Sequence, residues 1–216
     1  MYESVEIPQT WSFKDKSVAN NFNSHVREQL PWYDHASRLV AFYAQSYLMD
    51  NDKVYDLGCA TGHLAEMLFD HIKAKNVSYV GVDNSQEILD NNPVDLPTVC
   101  KDLMDVEFDH PDVIISFLTL VFLSPKNRAK VLSRAYSALP IGGALIILER
   151  FQAPPHLSLT SARLVLSEKT TSSEQIVAKD LSLIGSQRVL SETELPGQPQ
   201  IVFAFADFKC YIIEKQ

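Results

Sequence analysis

Apolar positions follow two different rhythms along the chain, and the change comes near residue 50. In "DKSVANNFNSHVREQL", Val18, Phe22 and Val26 recur every four residues, which predicts one apolar helical face. Pro31 interrupts this pattern. Asp34 is then expected to cap a second helix, "HASRLVAFYAQSYLM", whose apolar residues also gather on one side. After Asp50 the apolar residues come in short runs: "KVYDLG", "VSYVGVD", "TVCKD", "DVIISFLTLVF" and "GALIILERF". Runs without alternation suit strands buried on both faces of a parallel sheet, and helical stretches separate most of them. Ser124-Pro125 supplies a cap and a first-turn proline for "KNRAKVLSRAYSAL", and Pro140 with Gly142-Gly143 ends it. "QAPPHLSLTSARL" reads as a connector followed by a helix. "SSEQIVAKDLSLIG" opens on a capping box, Ser172 with Gln175. The chain closes on "QIVFAFADFKCYIIEK", two strands in a hairpin turning at Asp207 at one edge of the sheet. These elements predict an open α/β sheet, with a helical cap over residues 1–50 and a single sheet-bearing unit over 51–216.

Composition narrows the class. A chain of 216 residues suits one globular unit, and its length lets it bury a sizeable core without disulfides. The formal net charge of -8 argues against direct nucleic-acid binding, where phosphate neutralisation supplies most of the affinity. Cys59, Cys100 and Cys210 are too widely spaced for a metal site, and no two histidines stand at ligand spacing, so no metal is expected. The opening "MYESVEIPQTWSF" is too polar for a signal peptide, and no apolar run approaches the ~20 residues of a membrane helix. The expectation is a cytoplasmic protein without a membrane partner.

Candidate chemistry concentrates in "KVYDLGCATGHLAEML". Gly58 and Gly62, two of only seven glycines, form a loop between a strand and a helix starting near His63. Glycine permits positive φ and leaves room for a ligand against the backbone. Ligands of parallel sheets sit outside the carboxyl ends of the strands. Asp83 closes the next strand, where a carboxylate can accept from two ribose hydroxyls. Dinucleotides and S-adenosylmethionine are the two main ligands of such loops. The D-x-G-x-x-x-G pattern departs from the dinucleotide G-x-G-x-x-G. Asp56 would repel a pyrophosphate but suits the ammonium of a methionine moiety.

In order along the chain, "VYDLGCATG", "VGVDNS", "KDL" and "LPIGGALIILE" resemble the motifs of class I S-adenosylmethionine-dependent methyltransferases. Within that class the chain is most similar to the carboxy-S-adenosylmethionine synthases, a likeness that extends to "FKDKSVANNF", "LPWYDHAS" and "FLTLVFLSP". The resemblance implies the Rossmann-like methyltransferase fold, a mostly parallel seven-stranded sheet flanked by helices. It implies that Gly58, Cys59 and Ala60 line the methionine end of the cofactor, that Asp83 and Asn84 hold the ribose, and that Asp102 and Leu103 meet the adenine. Tyr33 matches a tyrosine that closes over the cofactor.

Two departures bear on the chemistry. Phe117 stands where the synthases carry an asparagine in an N-F-T-L run, and Lys179 falls near the place of an arginine that pairs with the transferred carboxylate. The segment between Phe151 and Thr170 is also shorter. The leading expectation is therefore a transferase that moves the methyl group of S-adenosylmethionine to a small-molecule acceptor, with Phe117 beside the sulfonium. A carboxy-S-adenosylmethionine synthase-like enzyme is the alternative. It would use prephenate, carry carboxy-S-adenosylmethionine and serve tRNA wobble modification. A non-catalytic S-adenosylmethionine-binding protein is the third reading. The synthase likeness also implies a homodimer. His35 and Lys179 are candidate substrate contacts, and Glu149, at the end of a strand, is a candidate site acid. Amino-methylating nucleic-acid enzymes are excluded, because nothing like an Asp/Asn-Pro-Pro-aromatic run follows the fourth strand. Cytosine C5 enzymes are excluded because no proline precedes a cysteine.

Overall fold

The computed structural model describes Lys14, residues 16–167 and residues 172–216. The opening run read against a signal peptide, and the start of the "FKDKSVANNF" likeness, lie outside them. Two helices come first, α1 (Lys16–Gln29) and α2 (Tyr33–Tyr47). There follow β1 (Lys53–Leu57), α3 (His63–Lys75), β2 (Ser78–Asp83), α4 (Gln86–Leu89), β3 (Thr98–Cys100), β4 (Val113–Phe117), α5 (Pro125–Ala138) and β5 (Ala144–Arg150). The chain ends with α6 (Pro155–Ser167), α7 (Ser173–Leu183), β6 (Gln200–Phe205) and β7 (Phe208–Glu214). The strands form one seven-stranded sheet in the order β3-β2-β1-β4-β5-β7-β6. The first five are parallel. β7 runs antiparallel to β5, and β6 antiparallel to β7.

Each face of the sheet carries its own core. Val54 points into a cluster with Ala36, Val40, Leu68 and Ile115, whereas Tyr55 and Leu57 point into the other with Val131, Leu132 and Ile147. This alternation is the two-residue period of a strand. Helix α2 lies directly on β4 and β5 and contributes Ala36, Val40 and Ala44 to the first core. The caps read from sequence form as expected. The Ser124 hydroxyl accepts from the Asn127 amide with Pro125 at the helix start, and Ser172 and Gln175 make a reciprocal capping box.

Two expectations change. Trp32, not Asp34, is the N-cap of α2; Asp34 lies in the first helical turn and pairs with Arg27 across the bend at 2.9 Å. The apolar run "DVIISFLTLVF" is a strand only as far as Phe117. The Glu149 carboxylate on β5 accepts the amides of Thr119, Leu120 and Val121 at 2.7, 2.7 and 3.3 Å, which curls Leu120–Phe122 into a 3-10 turn. The hairpin turns at Asp207 as expected, and Asp207 is buried there with Arg150 at 2.6 Å and Ser158 at 3.1 Å.

Candidate functional site

Strands β2 and β3 extend from β1 in one direction and β5 extends from β4 in the other, so the order reverses between β1 and β4. A crevice opens where the strand order reverses, which is where open sheets of this kind bind ligands. There lies a cavity of about 360 Å³, within the usual range for a small-molecule site. Its floor is the carboxyl ends of the parallel strands. Gly58 and Ala60 follow β1, Asp83 and Asn84 end β2, Asp102 and Leu103 follow β3, and Phe117 ends β4. Three helices cover it. α1 offers Phe22, His25, Val26 and Gln29; α6 offers Ser158, Ala162 and Val165; α7 offers Ile176, Lys179, Asp180 and Leu183. Each set repeats at three- and four-residue intervals, the spacing of a single helical face.

The Gly58 loop is held tightly. Gly58 has φ +72°, and the Gly58 and Cys59 amides both donate to the Val82 carbonyl, at 2.7 and 3.0 Å. A Cβ at Gly58 would overlap the Thr119 side chain, so this glycine is required by the turn after β4 as well as by the cavity. Asp83 accepts the Ala60 amide at 3.1 Å and the Ser85 amide at 3.0 Å. Burial pushes its pKa up and these backbone donors oppose the shift. Asp102 spends one oxygen on the Met104 amide at 2.8 Å, capping the turn that carries Leu103. Leu118 has φ +55°, a strained value for a branched side chain, and it also lines the cavity.

Four expected site residues do not line this cavity. Asp56 shares the Val54 face of β1 and is 1% exposed, with its carboxylate accepting the Tyr79 hydroxyl at 2.9 Å. Burial raises its pKa to about 7, and the Tyr79 hydroxyl pulls the other way. Cys59 is turned inward against Gly81, its thiol pKa pushed up by burial. Gly62, with φ +78°, packs on Asn92 and starts α3. His35 is exposed and faces Phe203 on β6, because two residues along a helix from Tyr33 is roughly the opposite side. Glu149, the candidate site acid, is fully buried and is not among the cavity residues. It also accepts the Ser116 hydroxyl at 3.1 Å, and burial lifts its pKa to about 7 against these four donors.

The remaining expected residues come together with groups the sequence did not single out. Tyr33, His63 and Phe117 form an aromatic trio that lines the cavity. Their ring centroids stand 4.8 Å (Tyr33–His63), 5.3 Å (Tyr33–Phe117) and 5.4 Å (His63–Phe117) apart. Tyr33 Oη lies 3.0 Å from His63 Nδ1. Lys179 reaches the cavity from α7, and burial lowers its pKa to about 6. His25 faces the same space, its pKa lowered to about 4 first by burial and then by the Lys179 charge. Arg150 also lines the cavity, held by Asp207. The four-residue spacing of Phe22 and Val26 was legible as a helical face. That this face covers a cavity was not, because periodicity cannot tell a core from a pocket wall.

A family model described as a methyltransferase domain matches residues 54–143. The carboxy-S-adenosyl-L-methionine synthase of Staphylococcus epidermidis is 32% identical over 148 residues, covering 66% of this chain and 64% of that protein. A protein of the same name from Yersinia pestis is 29% identical over 157 residues, covering 68% of this chain and 58% of the relative. The chain thus spans less than two thirds of the length of these curated relatives. Among solved structures, it is similar in fold to the plantazolicin methyltransferase in complex with SAH (12% identity, TM-score 0.65, 93% and 90% of the two chains covered). It is also similar to human N-acetylserotonin methyltransferase in complex with SAM (14% identity, TM-score 0.60, 94% and 57% covered).

Proposed function

We propose, from the premise that this chain carries a class I S-adenosylmethionine-dependent methyltransferase domain, that it transfers the methyl group of S-adenosylmethionine to a small-molecule acceptor. The observation that carries this reading is the order of groups around the cavity. A glycine loop, a strand-end carboxylate and a second carboxylate follow β1, β2 and β3, and the aromatic side chain of Phe117 closes the row at β4. Asp83 would accept the ribose hydroxyls and Asp102 the adenine amino group, while Gly58 and Ala60 give the methionine moiety access to backbone. Asp56, buried beneath Tyr79, acts on β1–β2 packing in this reading rather than on the ligand's ammonium.

S-adenosylmethionine supplies a methyl group already activated by the sulfonium. This chain's residues need to orient the acceptor in line and exclude water. The aromatic trio suits the cationic end, since a cation on an aromatic face gains about 0.5–2 kcal/mol. Apolar side chains of α1 and α6, with Leu118 and Val121, would shield much of the acceptor's space from water.

A second reading, carboxyl transfer, draws support from the names of the relatives and from Lys179 in the cavity. A bound carboxylate would draw this buried amine into its charged form. Phe117 counts against that reading, because it offers no donor where the synthases carry an amide. Incubation of the protein with S-adenosylmethionine and either a panel of small acceptors or prephenate, followed by mass analysis of the nucleoside, separates the readings. Demethylated nucleoside appearing with an acceptor supports methyl transfer. A carboxylated nucleoside formed with prephenate overturns it. Tight nucleoside binding without any turnover supports a non-catalytic binding protein.

A further inference from the structure

Tyr33 Oη and His63 Nδ1 are 3.0 Å apart, His63 Nε2 and Ser37 Oγ are 3.2 Å apart, and Ser37 Oγ donates to the Tyr33 carbonyl at 2.8 Å. These three contacts fix the direction of every proton in the chain. Ser37 has one hydroxyl hydrogen, and the carbonyl one turn back along α2 takes it. Its oxygen can then only accept from His63, so the ring proton sits on Nε2. Both residues are buried, and burial lowers the His63 pKa to about 3, so the imidazole is neutral and carries one proton only. Nδ1 is left with a lone pair and accepts from the Tyr33 hydroxyl. The Tyr33 hydrogen is therefore committed to His63, and what remains free on its oxygen is lone pairs.

We propose that His63 and Ser37 are positioning residues that set the polarity of the Tyr33 hydroxyl as an acceptor, and that this selects an S-methyl sulfonium over a nucleoside lacking the methyl or carrying a carboxylate there. The inference deepens the proposed function and rests on its reading of the cavity as an S-adenosylmethionine site. Tyr33, His63 and Phe117 all line the cavity that Asp83 and Asp102 also line. The C–H bonds of a sulfonium methyl are polarised, and an oxygen lone pair with aromatic faces around it complements them. A carboxylate on the same carbon would meet lone pairs and hydrocarbon, with no donor from this trio. The opposite proton arrangement would cost the Ser37–carbonyl hydrogen bond. If the imidazole proton moved to Nδ1, Ser37 would have to turn its hydroxyl from the Tyr33 carbonyl to Nε2, and Tyr33 would become a donor toward the cavity. The Ser37–carbonyl bond holds the network in the first arrangement.

Nitrogen NMR of the ligand-free protein reads the His63 tautomer. Calorimetry of S-adenosylmethionine and S-adenosylhomocysteine with the parent, Tyr33→Phe and Ser37→Ala reads the selectivity. The parent is expected to show the Nε2–H tautomer and Ser37→Ala the Nδ1–H form. Both variants should lower affinity for S-adenosylmethionine relative to S-adenosylhomocysteine by about two- to fivefold, since a C–H···O contact contributes about 0.5–1 kcal/mol. Their affinity for S-adenosylhomocysteine should stay near that of the parent. An Nδ1–H tautomer in the parent, or equal losses for the two nucleosides, overturns the polarity device and leaves the cofactor reading standing. A folded parent that binds neither nucleoside overturns both.

Discussion

At the scale of the residue, chemical type was legible and direction often was not. Asp56 shows the difference. A carboxylate two residues before Gly58 reads as a ligand group, yet the strand period places it with Val54 on the face covered by α2 and α3, where Tyr79 takes it. Its register could be counted from sequence, but the identity of its neighbour on β2 requires the pairing of Asp56 with Gly81 and the reach of Tyr79 beside it. A buried acid with pKa near 7 has a measurable consequence. The folded-state pKa is raised above the unfolded value, so the folded protein binds the proton more tightly. Its contribution to stability is fully present at acid pH, below the unfolded pKa, and is lost as pH rises through about 7. Glu149 shifts in the same direction. Unfolding free energy should therefore fall between about pH 4 and pH 7, and Asp56→Asn should flatten that fall by up to one proton's slope, about 1.4 kcal/mol per pH unit. Denaturant titrations of the parent and variant across this range measure it. An unchanged slope in the variant would show that Asp56 is ionised throughout.

At the scale of the element, strands and helices of β1 to β5 follow from their patterns, as do the caps at Ser124 and Ser172. The turn after β4 does not. "FLTLVF" is apolar and β-prone, and only the three amides gathered by Glu149 from the adjacent strand show why it leaves the sheet and brings Leu118 and Val121 to the cavity. The same turn is held from α5. Arg128 is 1% exposed and donates to Glu194 at 2.8 Å, to the Leu120 carbonyl at 3.3 Å and to the Arg188 carbonyl at 2.7 Å. Removing one partner of a buried pair costs about 3–5 kcal/mol, because the other is left uncompensated. Arg128→Ala should lower unfolding free energy by about that much. A loss below about 1 kcal/mol, measured by chemical denaturation, would place the guanidinium in solvent.

At the scale of the whole molecule, the sheet order decides where chemistry is possible. The hairpin Gln200–Glu214 was legible as an edge feature. Its inner strand pairs β5 over seven residues from Ala144 to Arg150, and Asp207 at the turn ties Arg150 to α6. No local pattern says that α1, α6 and α7 meet over the switch point, since each is amphipathic for reasons that a plain core would satisfy equally. Their convergence covers the crevice at the switch point. The described residues contain no helix long and apolar enough to cross a membrane. In the proposed function, this site holds S-adenosylmethionine with Asp83 on its ribose. Calorimetric titration of S-adenosylmethionine into the parent and into Asp83→Ala tests it most directly. The expected result is saturable uptake of about one equivalent by the parent and weakening by about 1.5–3 kcal/mol in a folded variant, the range for a hydrogen bond to a charged group. No uptake by the folded parent, or equal affinity in the two proteins, would contradict it.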